Sequence, residues 1–218
     1  MRDISKKILA ALDEVLGSSD TNIPLHAPEI TEKDKKLVEE CLDSGWVSTV
    51  GDQVSQFEKL IELFTGAKHA IAVVNGTAAL HIALLLAGVR KGDEVLIPSL
   101  TFVATANAVS YCGAIPHFVD SETNSLAIDP DKLNNYLDNI AEKIEGGFRN
   151  KKTGRILRAV IPVHILGQPA EINSLLAIST RYGLKLIEDA AESLGTYVEG
   201  KHTGTFGVLG TLSFNGNK

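Results

Sequence analysis

The chain has 218 residues, and 21 Lys and Arg against 27 Asp and Glu leave a net charge of −6. That length suits one large domain or two small ones, and 44% hydrophobic with 22% charged residues is ordinary globular composition, which excludes intrinsic disorder as the main state. The acidic balance excludes a general nucleic-acid binder, and the longest apolar runs, such as residues 82–89, fall far short of the roughly 18 residues that span a bilayer.

Residues 1–22 read as an N-terminal helical extension built on a short amphipathic helix. The apolar stretch 8–12 is too short for a signal sequence, and Asp13, Glu14 and Asp20 follow it. A polar break at 17–20 separates this helix from residues 23–218, which read as one domain. Thr31 with Asp34 predicts a capped helix start, with Leu37, Val38, Cys41 and Leu42 as its apolar face and Gly45 as its end. A second helix starts near Gln53 and stops at Gly66.

The chain then alternates. Residues 70–74 predict a strand, 77–86 a helix stopped by Gly88, 94–97 a strand ended by Pro98, 102–111 a helix and 115–119 a strand. Asp129-Pro130 opens a helix to about Ile144. After a polar stretch, 145–154, come a strand at 156–163, a helix at 169–182 closed by Gly183, a strand at 184–187 running into Glu188-Asp189, and an extended segment at 205–214. Short apolar strands alternating with helices predict an α/β fold, a mostly parallel sheet covered on both faces. Ligands of such sheets bind at the carboxyl ends of strands.

Cys41 and Cys112, 71 positions apart, make neither a disulfide framework nor a metal knuckle, and read as thiols of a reduced cytoplasmic protein. The six histidines show no HxH or HxxxH spacing, so no metal site is indicated. His81 reads as a packed core residue, and His164, at a strand end, is the histidine kept as a site candidate. Arg149, Lys151, Lys152, Arg155 and Arg158 form either a solvated hairpin or a contact for an anionic substrate.

Three strand ends carry chemistry. Asn75-Gly76-Thr77-Ala78 follows a strand and opens a helix, so its free amides suit a phosphate, although the same residues also suit a simple cap. It is neither a Walker loop nor a GxGxxG fingerprint. Asp189 is either a helix cap or a carboxylate aimed into the ligand crevice at a positive charge or a protonated ring nitrogen. Lys218 follows Asn215-Gly216-Asn217 at a further strand end, and a lysine facing a phosphate site and an acid is what Schiff-base chemistry uses.

Six segments, GWVSTVG (45–51), VVNGTAALHIALLLAGV (73–89), GDEVLIPSLTFVATANAV (92–109), PVHILGQPA (162–170), IEDAAESLG (187–195) and GTFGVLGTLSFNGNK (204–218), resemble the DegT/StrS-type nucleotide-sugar aminotransferases, in the same order. These use pyridoxal 5′-phosphate (PLP) on the fold-type-I aminotransferase fold. The wording of the segments, with the basic insert near 149–158, is similar to the subgroup acting on UDP-linked 4-keto-6-deoxy amino sugars in bacillosamine- and legionaminic-type pathways.

The resemblance implies roles for particular residues. Lys218 stands where the family carries its Schiff-base lysine. Asp189 matches the acid that keeps the pyridine nitrogen protonated. Glu192 stands where the family usually has Gln or His near the ring hydroxyl. Phe102 matches the aromatic stacked on the ring. Gly76, Thr77, Ala78 and Ser213 match the phosphate donors. Trp46, Val47, Ser48 and Thr49, with His164, correspond to contacts for the sugar nucleotide. The implied reaction moves an amino group from L-glutamate to the 4-keto carbon of a nucleotide-linked sugar, for bacterial surface glycans, in a cytoplasmic homodimer. Family members continue past the lysine into a small C-terminal domain, so the resemblance implies that 23–218 is a PLP-binding large domain that stops at the lysine. The rival readings are a sugar 3-dehydratase, which carries His where Lys218 stands, a nucleotide-binding α/β domain without PLP, and a non-catalytic fragment or interaction module on the same fold.

Overall fold

Helices lead the chain in the computed structural model, which describes residues 2–17, 27–216 and 218. The expected polar break at 18–20 and the segment 23–25 lie outside the described residues. Helix α1 (Arg2–Leu16) falls within the expected extension, and its apolar residues Ile4, Ile8 and Leu12 are exposed. Helix α2 (Glu32–Ser44) begins at the predicted capping box: the Thr31 hydroxyl accepts from the Asp34 N–H, and the Asp34 carboxylate accepts the Thr31 N–H at 2.7 Å. It ends at Gly45, whose φ of 72° is left-handed and costs glycine nothing. Its predicted apolar face forms, yet Val38 and Leu42 point to solvent. Helix α3 (Asp52–Thr65) follows and stops at Gly66.

The expected strand at 70–74 is absent. A strand is defined by its partner, and no described residue pairs with this segment. Instead Ala72 N–H donates to the Glu58 carboxylate of α3, and Ile71 and Val74 are exposed.

From there α4 (Gly76–Leu86), β1 (Glu94–Pro98), α5 (Val103–Tyr111) and β2 (Ile115–Val119) match the predicted order. Helix α6 (Pro130–Ile140) starts at the Asp129 cap but ends four residues before Ile144. Residues 141–144 leave the helix as strand β3 (Ala141–Ile144), which turns back through Gly146 and Gly147, both at positive φ, into β4 (Gly147–Asn150). Strand β5 (Ile156–Val160) is shorter than the expected 156–163, with one isolated bridge beyond it between Val163 and Asp189. Helix α7 (Ile172–Arg181) starts after 169–171 rather than at Pro169. Strand β6 (Lys185–Asp189) is followed by a small hairpin, β7 (Tyr197–Val198) with β8 (Lys201–His202), and then β9 (Leu209–Thr211). The expected extended segment 205–214 is thus reduced to three residues of ladder.

The parallel strands run in the order β2-β1-β5-β6-β9. The antiparallel β3–β4 hairpin shares one edge of β5 with β6: β4 pairs at Leu157 and β6 at Ala159 and Val160. Side-chain alternation sends Leu96, Val160 and Leu186 to the face packed by Leu133 and Leu137 of α6 and Leu175 of α7. It sends Val95, Ile97 and Ile187 to the face packed by Leu80 and Leu84 of α4 and Val109 of α5. Burying each such Leu contributes roughly 1.5–3 kcal/mol. Helices on both faces of a parallel sheet are the predicted α/β architecture.

The basic run spans the end of β4, the turn after it and β5. Arg149 pairs with Glu142 across the β3–β4 hairpin at 2.7 Å, Arg158 with Asp93 at 3.0 Å and Arg155 with Glu94 at 3.7 Å. Buried Glu94 also accepts from Thr153 and Asn150 and meets His117. This network sits at the amino end of β1, the end of the strands opposite Asp189. Three of the five cations are therefore engaged by acids of the chain itself.

Candidate active site

Asp189 closes β6 and is only 5% exposed. By alternation it points to the face of α4 and α5, and there the Thr105 hydroxyl of α5 donates to its Oδ2 at 2.7 Å. The Ala191 N–H donates to Oδ1. Thr105 in turn lies 2.8 Å from the Thr101 hydroxyl. Burial pushes the Asp189 carboxyl above the usual range, against the opposing pull of the Thr105 hydroxyl, the Ala191 amide and the Lys218 charge. A carboxylate so placed is short of a cation.

The amino end of α4 faces the segment after β9. Asn75 caps the helix, its Oδ1 accepting the Ala78 N–H at 2.8 Å. A Cβ at Gly76 would meet Ser213 Cβ at 3.0 Å and its hydroxyl oxygen at 3.3 Å. Glycine at 76 is what lets Ser213 stand against the start of the helix. Gly76, Thr77, Ala78 and Ser213 are thus brought together, with the positive end of the helix dipole aimed between them. A surface cleft lined by Asn75, Thr77, Ala78, His81 and Tyr111 adjoins this helix end. The expected packing of His81 is partial: its ring meets Tyr111 edge-on at 5.8 Å.

Lys218 Nζ lies 3.0 Å from Glu192 Oε1 and 5.4 Å from the centre of the Phe102 ring. Glu192 Oε2 accepts the Leu166 N–H at 2.8 Å. Phe102 precedes α5 and is 70% exposed, so one face of the ring is open. Leu166, in the turn Ile165–Gly167 after β5, has φ 52°, a conformation rare for a branched residue. Asp189, Phe102, Glu192 and Lys218 thus meet at the carboxyl ends of the strands.

His164 is placed differently from a substrate contact. It is fully buried, its Nδ1 accepts the Ala170 N–H at 3.1 Å, and its Nε2 lies 3.1 Å from Glu188 Oε2. Both ring nitrogens are engaged inside the protein. Glu188 is buried too and points away from Asp189. Its Oε1 accepts the N–H groups of Phe206 and Gly207 at 2.6 and 2.7 Å, and its Oε2 that of Gly204 at 2.7 Å. Burial raises the Glu188 carboxyl, but the His164 contact and the Gly207 and Gly204 amides outweigh it and hold the group below its ordinary range.

The glycines of the turn are steric requirements. A Cβ at Gly207 would lie 2.4 Å from the Leu186 carbonyl oxygen, and one at Gly210 would lie 1.9 Å from that of Gly204. Trp46, Val47, Ser48 and Thr49 form an exposed turn before α3, with the Trp46 side chain 59% exposed. The residue that motif reading passed over is Thr105, while Asn75 and Glu188 were noted without their partners. Nothing in the sequence of 102–111, which also carries Ser110 and Tyr111, marks Thr105, whose burial and contact with Asp189 come from packing.

Residues 28–218 match the DegT/DnrJ/EryC1/StrS aminotransferase family. A GDP-perosamine synthase of Vibrio cholerae is 42% identical over 90% of this chain and 49% of its own length. EpsN of Bacillus subtilis (strain 168), named as a pyridoxal phosphate-dependent aminotransferase, is 40% identical over 90% of this chain and 48% of its own. The crystallised GDP-4-keto-6-deoxymannose-3-dehydratase with bound GDP-perosamine superimposes with a TM-score of 0.73 at 26% identity, over 88% of this chain and 47% of that one. The chain spans about half the length of the curated relatives it matches. With the fold and this match in agreement, the chain belongs to the DegT/DnrJ/EryC1/StrS family of PLP-dependent aminotransferases.

Proposed function

We propose that the protein to which this chain belongs transfers an amino group from L-glutamate to the 4-keto carbon of a nucleotide-linked 4-keto-6-deoxy sugar, in the cytoplasm and as a homodimer. The observation that carries the reading is Asp189: a buried carboxylate at a strand end, held by Thr105 and Ala191, within the charge field of Lys218. PLP, when bound, supplies an electron sink for the amino acid's Cα.

The residues fit that cofactor. Asp189 would hold the proton of a ring nitrogen, since a cation beside it relieves the cost of its buried charge. The Gly76 and Thr77 amides, the Thr77 hydroxyl and Ser213 would take a phosphate, and Ala78 would join them by releasing Asn75. The open face of Phe102 would pack against a ring, and Glu192 would stand near its hydroxyl. Lys218 would be the lysine that holds PLP covalently and the base that moves a proton at the amino acid's Cα. The Trp46–Thr49 turn would contact the sugar nucleotide. His164 would serve from within rather than by contact.

Two nucleotides are in view. GDP is supported by the relative named for GDP-perosamine and by the dehydratase that binds it. UDP is supported by the wording of the six segments and the basic insert, but three cations of that insert pair with the chain's own acids. We therefore place GDP first. Lys218 speaks against a 3-dehydratase. Free thiols at Cys41 and Cys112 support a reducing compartment, and no helix among the described residues is long and apolar enough to cross a membrane.

The test is the visible spectrum of the full-length gene product with PLP, before and after L-glutamate. A protein-bound visible band that fades with glutamate, then returns with a GDP-linked 4-keto-6-deoxy sugar, is the expected result. Return with the UDP sugar alone would reassign the nucleotide. No protein-bound band would overturn the reading in favour of a non-catalytic module.

A further inference from the structure

We propose that His164 and Glu188 are positioning residues of the site: they fix the backbone that aims Asp189 and the glycine turn that leads to Ser213 and Lys218. The inference rests on the roles given above to Asp189 and Lys218.

The argument begins with the tautomer. The Ala170 N–H donates to His164 Nδ1, so that nitrogen carries no proton, and the proton of the neutral ring sits on Nε2 and is donated to Glu188. Ring orientation and tautomer are both set, as they are for a metal-ligating histidine held by a second partner. Glu188 then has four donors on one carboxylate: the His164 ring and the amides of Gly204, Phe206 and Gly207. Three of the four come from the turn before β9.

The segment that carries His164 and the strand after the glycine turn also hold Asp189 and its neighbour through the main chain. The His164 N–H donates to the Asp189 carbonyl at 3.1 Å, the Asp189 N–H donates to Pro162, and the Ala190 N–H donates to Thr211 of β9. Glu188 and Asp189 are adjacent on one strand with side chains on opposite faces. A rotation of the strand that freed the Glu188 carboxylate would swing the Asp189 carboxylate away from Thr105. Thr211 is two residues before Ser213, so a slip of the glycine turn along β6 would also withdraw Ser213 from Gly76. A fully buried charge is a costly way to pair three amides, and an apolar side chain there would leave them unpaired. The charge gives one definite register between the two halves of the site.

The experiment uses three variants of the full-length gene product. His164→Phe removes both ring nitrogens. His164→Asn keeps an acceptor for the Ala170 N–H but falls short of Glu188. His164→Gln reaches Glu188 with an amide N–H. Three readouts are taken: thermal midpoint, equilibrium binding of PLP, and the pH midpoint of the visible band of bound PLP. Loss of the Glu188 contact in Phe and Asn variants should weaken PLP binding about ten- to hundredfold and move the band's pH midpoint, with partial return in the Gln variant. Should His164→Phe fail to fold, His164→Asn carries the same expectation.

Unchanged PLP binding and pH midpoint in His164→Asn, whatever its thermal midpoint, would reduce the pair to structural packing and overturn the inference. Asp189→Ala is measured alongside. If it loses PLP while His164→Asn does not, only this inference fails. If Asp189→Ala still binds PLP with the same band, the functional reading itself fails.

Discussion

Replacing Glu188 by Gln tests how much the buried carboxylate holds. The change is nearly isosteric but leaves one acceptor oxygen and adds an NH2 group. If the oxygen stays toward Phe206 and Gly207, the NH2 faces the Gly204 N–H and the protonated His164 Nε2. If the amide is turned, it faces the Phe206 and Gly207 amides instead. Either way two of four bonds are lost. Hydrogen bonds to a charged group contribute about 1.5–3 kcal/mol each, so losing two costs about 3–6 kcal/mol. A loss of about 4 kcal/mol follows, or roughly a thousandfold in a local opening equilibrium. Amide hydrogen exchange over 203–208 reads this directly, since the amides that lose partners are the ones that exchange. The acid side gives a second sign. Glu188 is held below its ordinary range in the folded protein, so its contribution is fully present at neutral pH and is lost as pH falls through the folded value. The Gln variant should lack that acid-side decline. Unchanged protection at Gly204, Phe206 and Gly207 would refute the assignment of Glu188 as the anchor of the turn.

Asp189→Asn should stabilise the protein without PLP at neutral pH while weakening PLP binding, because the ionised carboxylate is disfavoured in its buried position. Urea unfolding of the PLP-free variant at pH 7 checks this, and equal or lower stability would count against it. Asn75→Ala removes the cap of α4 and should cost about 1 kcal/mol, with the Ala78 amide left free. A thermal scan with and without inorganic phosphate follows both effects. Gly207→Ala should prevent a soluble native fold, since its Cβ would lie 2.4 Å from a backbone oxygen of β6, and a folded variant of wild-type stability would show that the turn can move.

What the sequence made legible was whatever local chemistry decides. The Thr31 and Asp34 capping box, the Gly45 and Gly66 stops and the Asp129-Pro130 start are all short-range arrangements, and each stands where it was expected. The failures are pairings. Residues 70–74 have the apolar run of a strand but no partner among the described residues, and nothing in the run itself reveals that. Residues 141–144 continue the helical pattern of α6, but Arg149 opposite Glu142 and Phe148 opposite Leu157 draw them into a hairpin. The alternation along β5 is likewise decided by pairing. Leu157 and Ala159 face opposite sides because the register shifts between Glu94 and Val95 of its neighbour.

The site divides along the same line. Asp189 and Lys218 stood out as candidates by strand-end position and side-chain type, whereas Phe102 entered only through the resemblance to the family. Glu188 was visible only as an unexplained second acid, since its four donors come from positions 164, 204, 206 and 207. Its partners explain why the two acids are adjacent. β6 must carry one carboxylate into the crevice on the α5 face, and alternation gives the next residue in the strand the opposite face. A group on that opposite face can brace the strand without entering the crevice. The glycine spacing at 204, 207 and 210 then follows, because a turn that delivers three amides to one carboxylate must lie so close to β6 that a side chain at 207 would strike Leu186 and one at 210 would strike Gly204. The acid pair and the glycine triplet, which look like separate motifs along the chain, are two sides of one contact.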